Sequence, residues 1–187
     1  LNRYNGKDVK VFQPSESNHG LTNNEINELC GDKNGRMYIR SGNDLIKLDI
    51  YTEQFTCLRQ KGVYGLFCKK DTLWVSCADG IYYYTGQGTE LTFFARVQKG
   101  FVGRALYVDK ETVWVVTRKY LVAISREDPL RQDILLTLDK GNCILGDSSG
   151  NIWVGAWNGL YRVSPDRETT AYISHSGMGE LSDNQVR

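Results

Sequence analysis

Few residues in this chain have the types and spacing to do chemistry. They are His19 and His175, the cysteines Cys30, Cys57, Cys68, Cys77 and Cys143, and two Asp-x-x-Gly segments at Asp32 and Asp147. The histidines have no Ser or Cys partner at a recognisable spacing, so solvated loop histidines are expected rather than a catalytic triad. The cysteine count is odd and no Cys-x-x-Cys pair occurs, which excludes zinc-ribbon and thioredoxin-like motifs. Four of the five lie in or beside apolar strand-like runs, and small buried hydrophobes are a better reading than a disulfide framework. The Asp-x-x-Gly segments lack the alternating oxygen ligands of a calcium loop, so hairpin turns with glycine at positive φ are expected. No motif marks a carboxylate pair for glycoside hydrolysis. The motifs assign no catalytic residue, metal or cofactor.

The elements that must position any site follow from a repeat. "DSSGNIWVGAWNGLYRV" at Asp147 has relatives in "DKNGRMYIRSGNDLIKL" at Asp32, "CKKDTLWVSCADGIYYY" at Cys68 and "DKETVWVVTRKYLVAI" at Asp109. Their central aromatics, Tyr38, Trp74, Trp114 and Trp153, are spaced 36, 40 and 39 residues apart. "LTNNEI" at Leu21 returns as "LSDNQV" at Leu181, four periods later. A period of about 40 residues is the signature of stacked or radial architecture.

Each repeat reads as four strands, A to D. Strand B carries consecutive apolar residues, as in Leu73-Trp74-Val75 and Ile152-Trp153-Val154, so both of its faces must be buried. Four-stranded sheets packed face to face, as in propeller blades, satisfy that pattern. The expected fold is an all-β propeller segment of about four four-stranded blades, with the aromatics as wedges between blades. Residues 1–187 form one segment, with repeats at about 21–59, 60–99, 100–140 and 141–180 and partial repeats at 1–20 and 181–187. The partial repeats suggest an arc cut from a longer propeller. Its end faces, near Tyr38 and Ile46 and near Trp153 and Val163, should then be apolar and favour self-association.

Composition bounds the partners. Of 187 residues, 41% are hydrophobic and 24% charged, and the net charge is +1. That balance carries no electrostatic footprint for nucleic acid or an anionic membrane. No apolar run approaches the roughly 20 residues of a membrane span. The first residues lack a signal-peptide core and the chain does not begin with Met, so it reads as a mature or excised segment.

"GLTNNEINELCGDKNGRMYIRSGNDLIKLD" and "GDSSGNIWVGAWNGLYRVSP" resemble the two-component regulator propeller repeat. The likeness is strong in the first and fourth repeats, moderate in the second and weak in the third. Tyr38 stands where that family has Trp. Ser41, Cys77 and Ala156 replace a Thr that survives as Thr117, and Tyr120 replaces a Gly. The resemblance implies part of the periplasmic sensor region of a hybrid two-component histidine kinase. Such regions are followed by a β-sandwich, one membrane span and the kinase core, and many respond to oligosaccharides.

In a propeller the B–C and D–A loops share one rim, where rigid blades present variable side chains. Ligand-binding candidates there are Asn43, Arg118, Tyr120 and Trp157 from B–C loops and Tyr64 and Arg104 from D–A loops. An aromatic such as Trp157 in a polar turn suits stacking on a sugar, and packing against its own blade or a neighbouring domain is the alternative. The leading functional reading is a non-enzymatic extracytoplasmic sensor segment. A propeller enzyme acting on glycans and a protein-interaction propeller remain the alternatives.

Overall fold

The computed structural model describes residues 1–14, 20–98, 101–173 and 185–186. His19 and His175 lie outside these residues. A short hairpin of β1 (Asn2–Tyr4) and β2 (Val9–Val11) comes first. The first repeat then forms an antiparallel sheet of β3 (Ile26–Gly31), β4 (Arg36–Ser41), β5 (Asp44–Asp49) and β6 (Phe55–Arg59). The second forms β7 (Val63–Lys69), β8 (Thr72–Cys77), β9 (Gly80–Tyr84) and β10 (Thr92–Ala95). In the third, β11 (Gly103–Val108), β12 (Thr112–Thr117), β13 (Tyr120–Ser125) and β14 (Gln132–Thr137) make the sheet. The fourth holds β15 (Cys143–Gly146), β16 (Ile152–Ala156), β17 (Gly159–Val163) and β18 (Thr169–Tyr172). Strands follow sequence order in every sheet, as in a propeller blade. The fold is all-β, and no helix among the described residues is long and apolar enough to cross a membrane.

The chain divides into two compact units, residues 1–78 with 82–93 and residues 79–81 with the described part of 94–187. In the first unit, Tyr38 and Leu45 pack against Leu66, Leu73, Val75 and Tyr84. The opposite face of the same sheet places Ile39, Ile46 and Leu48 under Leu21, with Leu1 and Phe12 against them. Strand β4 therefore buries both faces, as its consecutive apolar residues require. In the second unit, Trp114, Val116 and Leu121 pack against Ile152, Val154, Ala156 and Tyr161.

Tyr38, Trp74 and Trp114 are buried, whereas Trp153 is half-buried. Its neighbours Ile152 and Val154 join the core cluster, so the strand's alternation turns Trp153 to the other face, where Tyr172 stacks on it at 5.8 Å. The end faces therefore differ from expectation. Tyr38, Ile46 and Val163 are fully buried: Tyr38 by the facing sheet, Ile46 beneath Leu21 beside the first hairpin, and Val163 within the second unit's core. Leu29 of the first sheet and Ile50 in the turn after β5 are exposed.

The Asp-x-x-Gly segments are hairpin turns, with Gly35 at φ 74° and Gly150 at φ 82°. Their aspartates also anchor the aromatic of strand B. The Asp147 Oδ1 accepts the backbone N–H groups of Ser149 and Asn151, each at 2.9 Å, while Oδ2 accepts Trp153 Nε1–H at 2.8 Å. Asp109 repeats this with Trp114 Nε1–H at 2.6 Å, and Asp32 with the Tyr38 hydroxyl at 3.3 Å. The Trp153 and Asn151 hydrogen bonds pull the Asp147 carboxyl down to about 2. A depressed native pKa stabilises the fold above the unfolded carboxylate value near ~4, and that contribution is lost as pH falls through about 2. An NMR titration of the Asp147 carboxyl should give a midpoint near 2; one near ~4 would contradict the anchor.

Candidate functional site

Within each unit, backbone hydrogen bonds join a connecting loop to neighbouring B–C turns. In the first unit, the loop entering β7 lies between two turns. The Val63 N–H donates to the Asn43 carbonyl at 3.0 Å, Lys61 N–H to Asp44 Oδ1 at 2.6 Å, and Ala78 N–H to the Gly62 carbonyl at 2.8 Å. The second unit repeats this arrangement. Gly141 N–H donates to the Arg118 carbonyl at 3.1 Å, Leu138 N–H to the Lys119 carbonyl at 2.8 Å, and Trp157 N–H to the Asp139 carbonyl at 2.9 Å. Each connecting loop is thus clasped by the B–C turns on either side. That fixes side chains on short turns held by sheets, which is what a preorganised site needs.

The structure brings the candidates together in two groups. Asn43 and Tyr64 are both exposed and adjoin through the Asn43–Val63 bond. Arg118 and Trp157 flank the 139–142 loop, and both are exposed. Trp157 is 40% exposed, while the Lys140 ammonium sits 3.6 Å from its ring centroid. One ring face is therefore occupied by a cation–π contact. Asn158 Oδ1 accepts the Asp139 N–H at 3.1 Å and steadies the turn from which Trp157 projects. Tyr120 is less available than expected. It is half-buried against Phe101 at 4.9 Å, with Lys119 Nζ 5.7 Å from its ring.

Tyr64 and Arg104 share a feature that their residue types do not announce. Strand A is irregular at one place in three sheets, between Ile26 and Glu28, between Val63 and Gly65, and between Gly103 and Ala105. The skipped residues are Asn27, Tyr64 and Arg104, and all three are exposed. A bulge re-aims the side chain it carries. Asn27 was missed by sequence reasoning. Its amide donates to the Gly42 carbonyl at 3.0 Å, so it reaches the neighbouring turn.

Glu28 follows the first bulge and was also missed. Its carboxylate accepts the Leu66 N–H of β7 at 3.0 Å and lies 3.5 Å from Arg40 Nε. Burial pushes its pKa up, and the Leu66 hydrogen bond and Arg40 partly oppose that. It is a half-buried carboxylate of raised pKa whose hydrogen bond to Leu66 links β3 to β7. Among the described residues no group of His, Cys, Asp and Glu is arranged to hold a metal ion.

No protein-family model matches the chain, and no curated protein matches it by sequence. Solved structures do match. The extracellular domain of BT3049 from B. thetaiotaomicron, described as a hybrid two-component system, aligns with a TM-score of 0.76 at 20% identity, over 98% of this chain and 29% of that one. The corresponding domain of BT4673 gives a TM-score of 0.72 at 16% identity, over 87% of this chain and 24% of that one. Virginiamycin B lyase from Staphylococcus aureus gives 0.67 at 14% identity, over 89% and 60%. The chain thus spans about a quarter of the two extracellular domains it matches, and what it shares with all three at these identities is a propeller-type β fold.

Proposed function

We propose that residues 1–187 act as one propeller segment of an extracytoplasmic sensor, in the periplasmic region of a hybrid two-component histidine kinase. The repeat resembles the two-component regulator propeller family, and the likeness to the BT3049 and BT4673 extracellular domains supports the same reading. In this reading the segment does no chemistry itself. It binds an oligosaccharide and passes the event to the remaining blades, the β-sandwich and the kinase of its parent. Self-association of the segment would use exposed residues such as Leu29 and Ile50, since Tyr38 and Ile46 are buried.

The observation that carries the reading is Trp157. Trp157, 40% exposed on a hydrogen-bonded turn across the 139–142 loop from Arg118, would give a sugar ring an apolar face to stack on. Trp157→Ala should weaken oligosaccharide binding by about 1–3 kcal/mol and leave thermal stability nearly unchanged. Calorimetric titration of an oligosaccharide panel checks this. Unchanged affinity would remove Trp157 from the site.

The lyase likeness favours one alternative, an enzyme working from this fold. Glu28 is the carboxylate suited to it, because its raised pKa fits proton transfer. The sensor reading expects virginiamycin B and glycans to be recovered intact. Turnover abolished by Glu28→Gln would establish the enzyme.

A further inference from the structure

The Cys30 and Cys68 sulfurs lie 2.7 Å apart, although 38 residues separate them in sequence. Cys30 sits on β3 and Cys68 on β7, neighbouring strands of the two sheets in the first unit. Both side chains join the core between those sheets, beside Tyr38 and Leu73. The register explains the meeting. Cys30 pairs with Tyr38 on one sheet and Cys68 with Leu73 on the other, so both thiols point into the shared layer. Neither residue is fully buried. All five cysteines are free thiols; Cys77 is fully buried, while Cys30 and Cys68 are half-buried against the core.

The geometry points to Cys30 and Cys68 as a dithiol that closes into a disulfide between the first and second sheets when the chain meets a disulfide oxidant. One thiolate attacks a sulfur of the oxidant R–S–S–R and expels RS⁻. The other thiolate then attacks the protein sulfur of that mixed disulfide and expels the second RS⁻. Both cysteine protons end on the two RSH products. The cysteines are oxidised by two electrons in total and the oxidant's S–S bond is reduced. Sharing a hydrogen bond with the Cys68 sulfur, together with burial, raises the Cys30 pKa, which favours its thiol form and places the reaction toward the slow end of disulfide formation. Such bonds persist in oxidising compartments, where the sensor reading puts the chain. The chemistry does not depend on ligand sensing, so its failure would leave that reading standing.

The purified 187-residue chain, equilibrated with oxidised glutathione, tests the proposal. Maleimide labelling after denaturation should find three free thiols in place of the five of the reduced chain. Peptide mapping should recover Cys30 linked to Cys68. The thermal midpoint should rise by roughly 5–15 °C over the reduced chain, because the bond closes a long loop. Cys30→Ser and Cys68→Ser should each abolish that rise, and Cys57→Ser should retain it. Five labelled thiols, a glutathione adduct that never resolves, or a bond joining another pair would overturn the proposal. The mapping uses the unaltered chain, so it decides the matter even where a serine variant folds poorly.

Discussion

Tyr38→Ala is expected to destabilise the protein by about 3–5 kcal/mol, the cost of emptying a fully buried aromatic site. Tyr38 packs between the first two sheets, edge-on to Tyr84 with ring centroids 6.0 Å apart and planes at 85°. Truncation removes that contact and leaves a cavity between strands whose backbone pairing prevents collapse. Tyr38→Phe keeps the ring and loses only the 3.3 Å bond from the hydroxyl to Asp32 Oδ2, so a loss of about 1 kcal/mol is expected. Denaturant unfolding of both variants measures the difference. Equal losses would show that the hydroxyl, rather than the ring, holds the sheets together.

Asp109→Ala should cost about 2–4 kcal/mol, because one side chain does two jobs. Its Oδ1 accepts the N–H groups of Glu111 and Thr112, both at 2.8 Å, which caps the turn into β12. Its Oδ2 accepts the Nε1–H of Trp114, an indole only 7% exposed. Alanine leaves that donor without its partner in a packed layer. Asparagine has one carbonyl oxygen and cannot serve both sets, so Asp109→Asn should fall between alanine and the native residue. Chemical denaturation ranks the three, and an asparagine variant as stable as the native chain would contradict the two-oxygen account.

This pairing shows what could be read before the structure. The period, the doubly apolar strand B and the glycine turns were all legible, because each is a local pattern imposed by backbone geometry. The link from Asp109 to Trp114 was not read, although the Asp and the aromatic recur together at Asp32 and Asp147. The turn explanation was sufficient by itself and hid the second oxygen. The bulges at Asn27, Tyr64 and Arg104 were illegible for a different reason. A one-residue slip in pairing leaves composition unchanged and shows only against the partner strand.

The candidate site was legible in outline only. Loop order alone placed Trp157, Arg118 and Asn43 on turns of one type, and within each unit those turns hydrogen-bond to the neighbouring connecting loop. Covering contacts were another matter. Phe101 over Tyr120 and Lys140 over Trp157 depend on rotamers chosen by packing. Cys30 and Cys68 meet only because neighbouring sheets turn those residues toward each other, which no count or spacing of cysteines could reveal.

The central claim is that this propeller segment binds an oligosaccharide on its clasped-loop rim and leaves it unchanged. Titrating the 187-residue chain with an oligosaccharide panel, while following each sugar by mass spectrometry, tests it most directly. The account predicts saturable binding of at least one oligosaccharide, weakened roughly 5- to 150-fold by Trp157→Ala, with every sugar recovered intact. Cleavage that tracks the protein through purification and disappears with Glu28→Gln, or the absence of saturable binding across the panel, would contradict it.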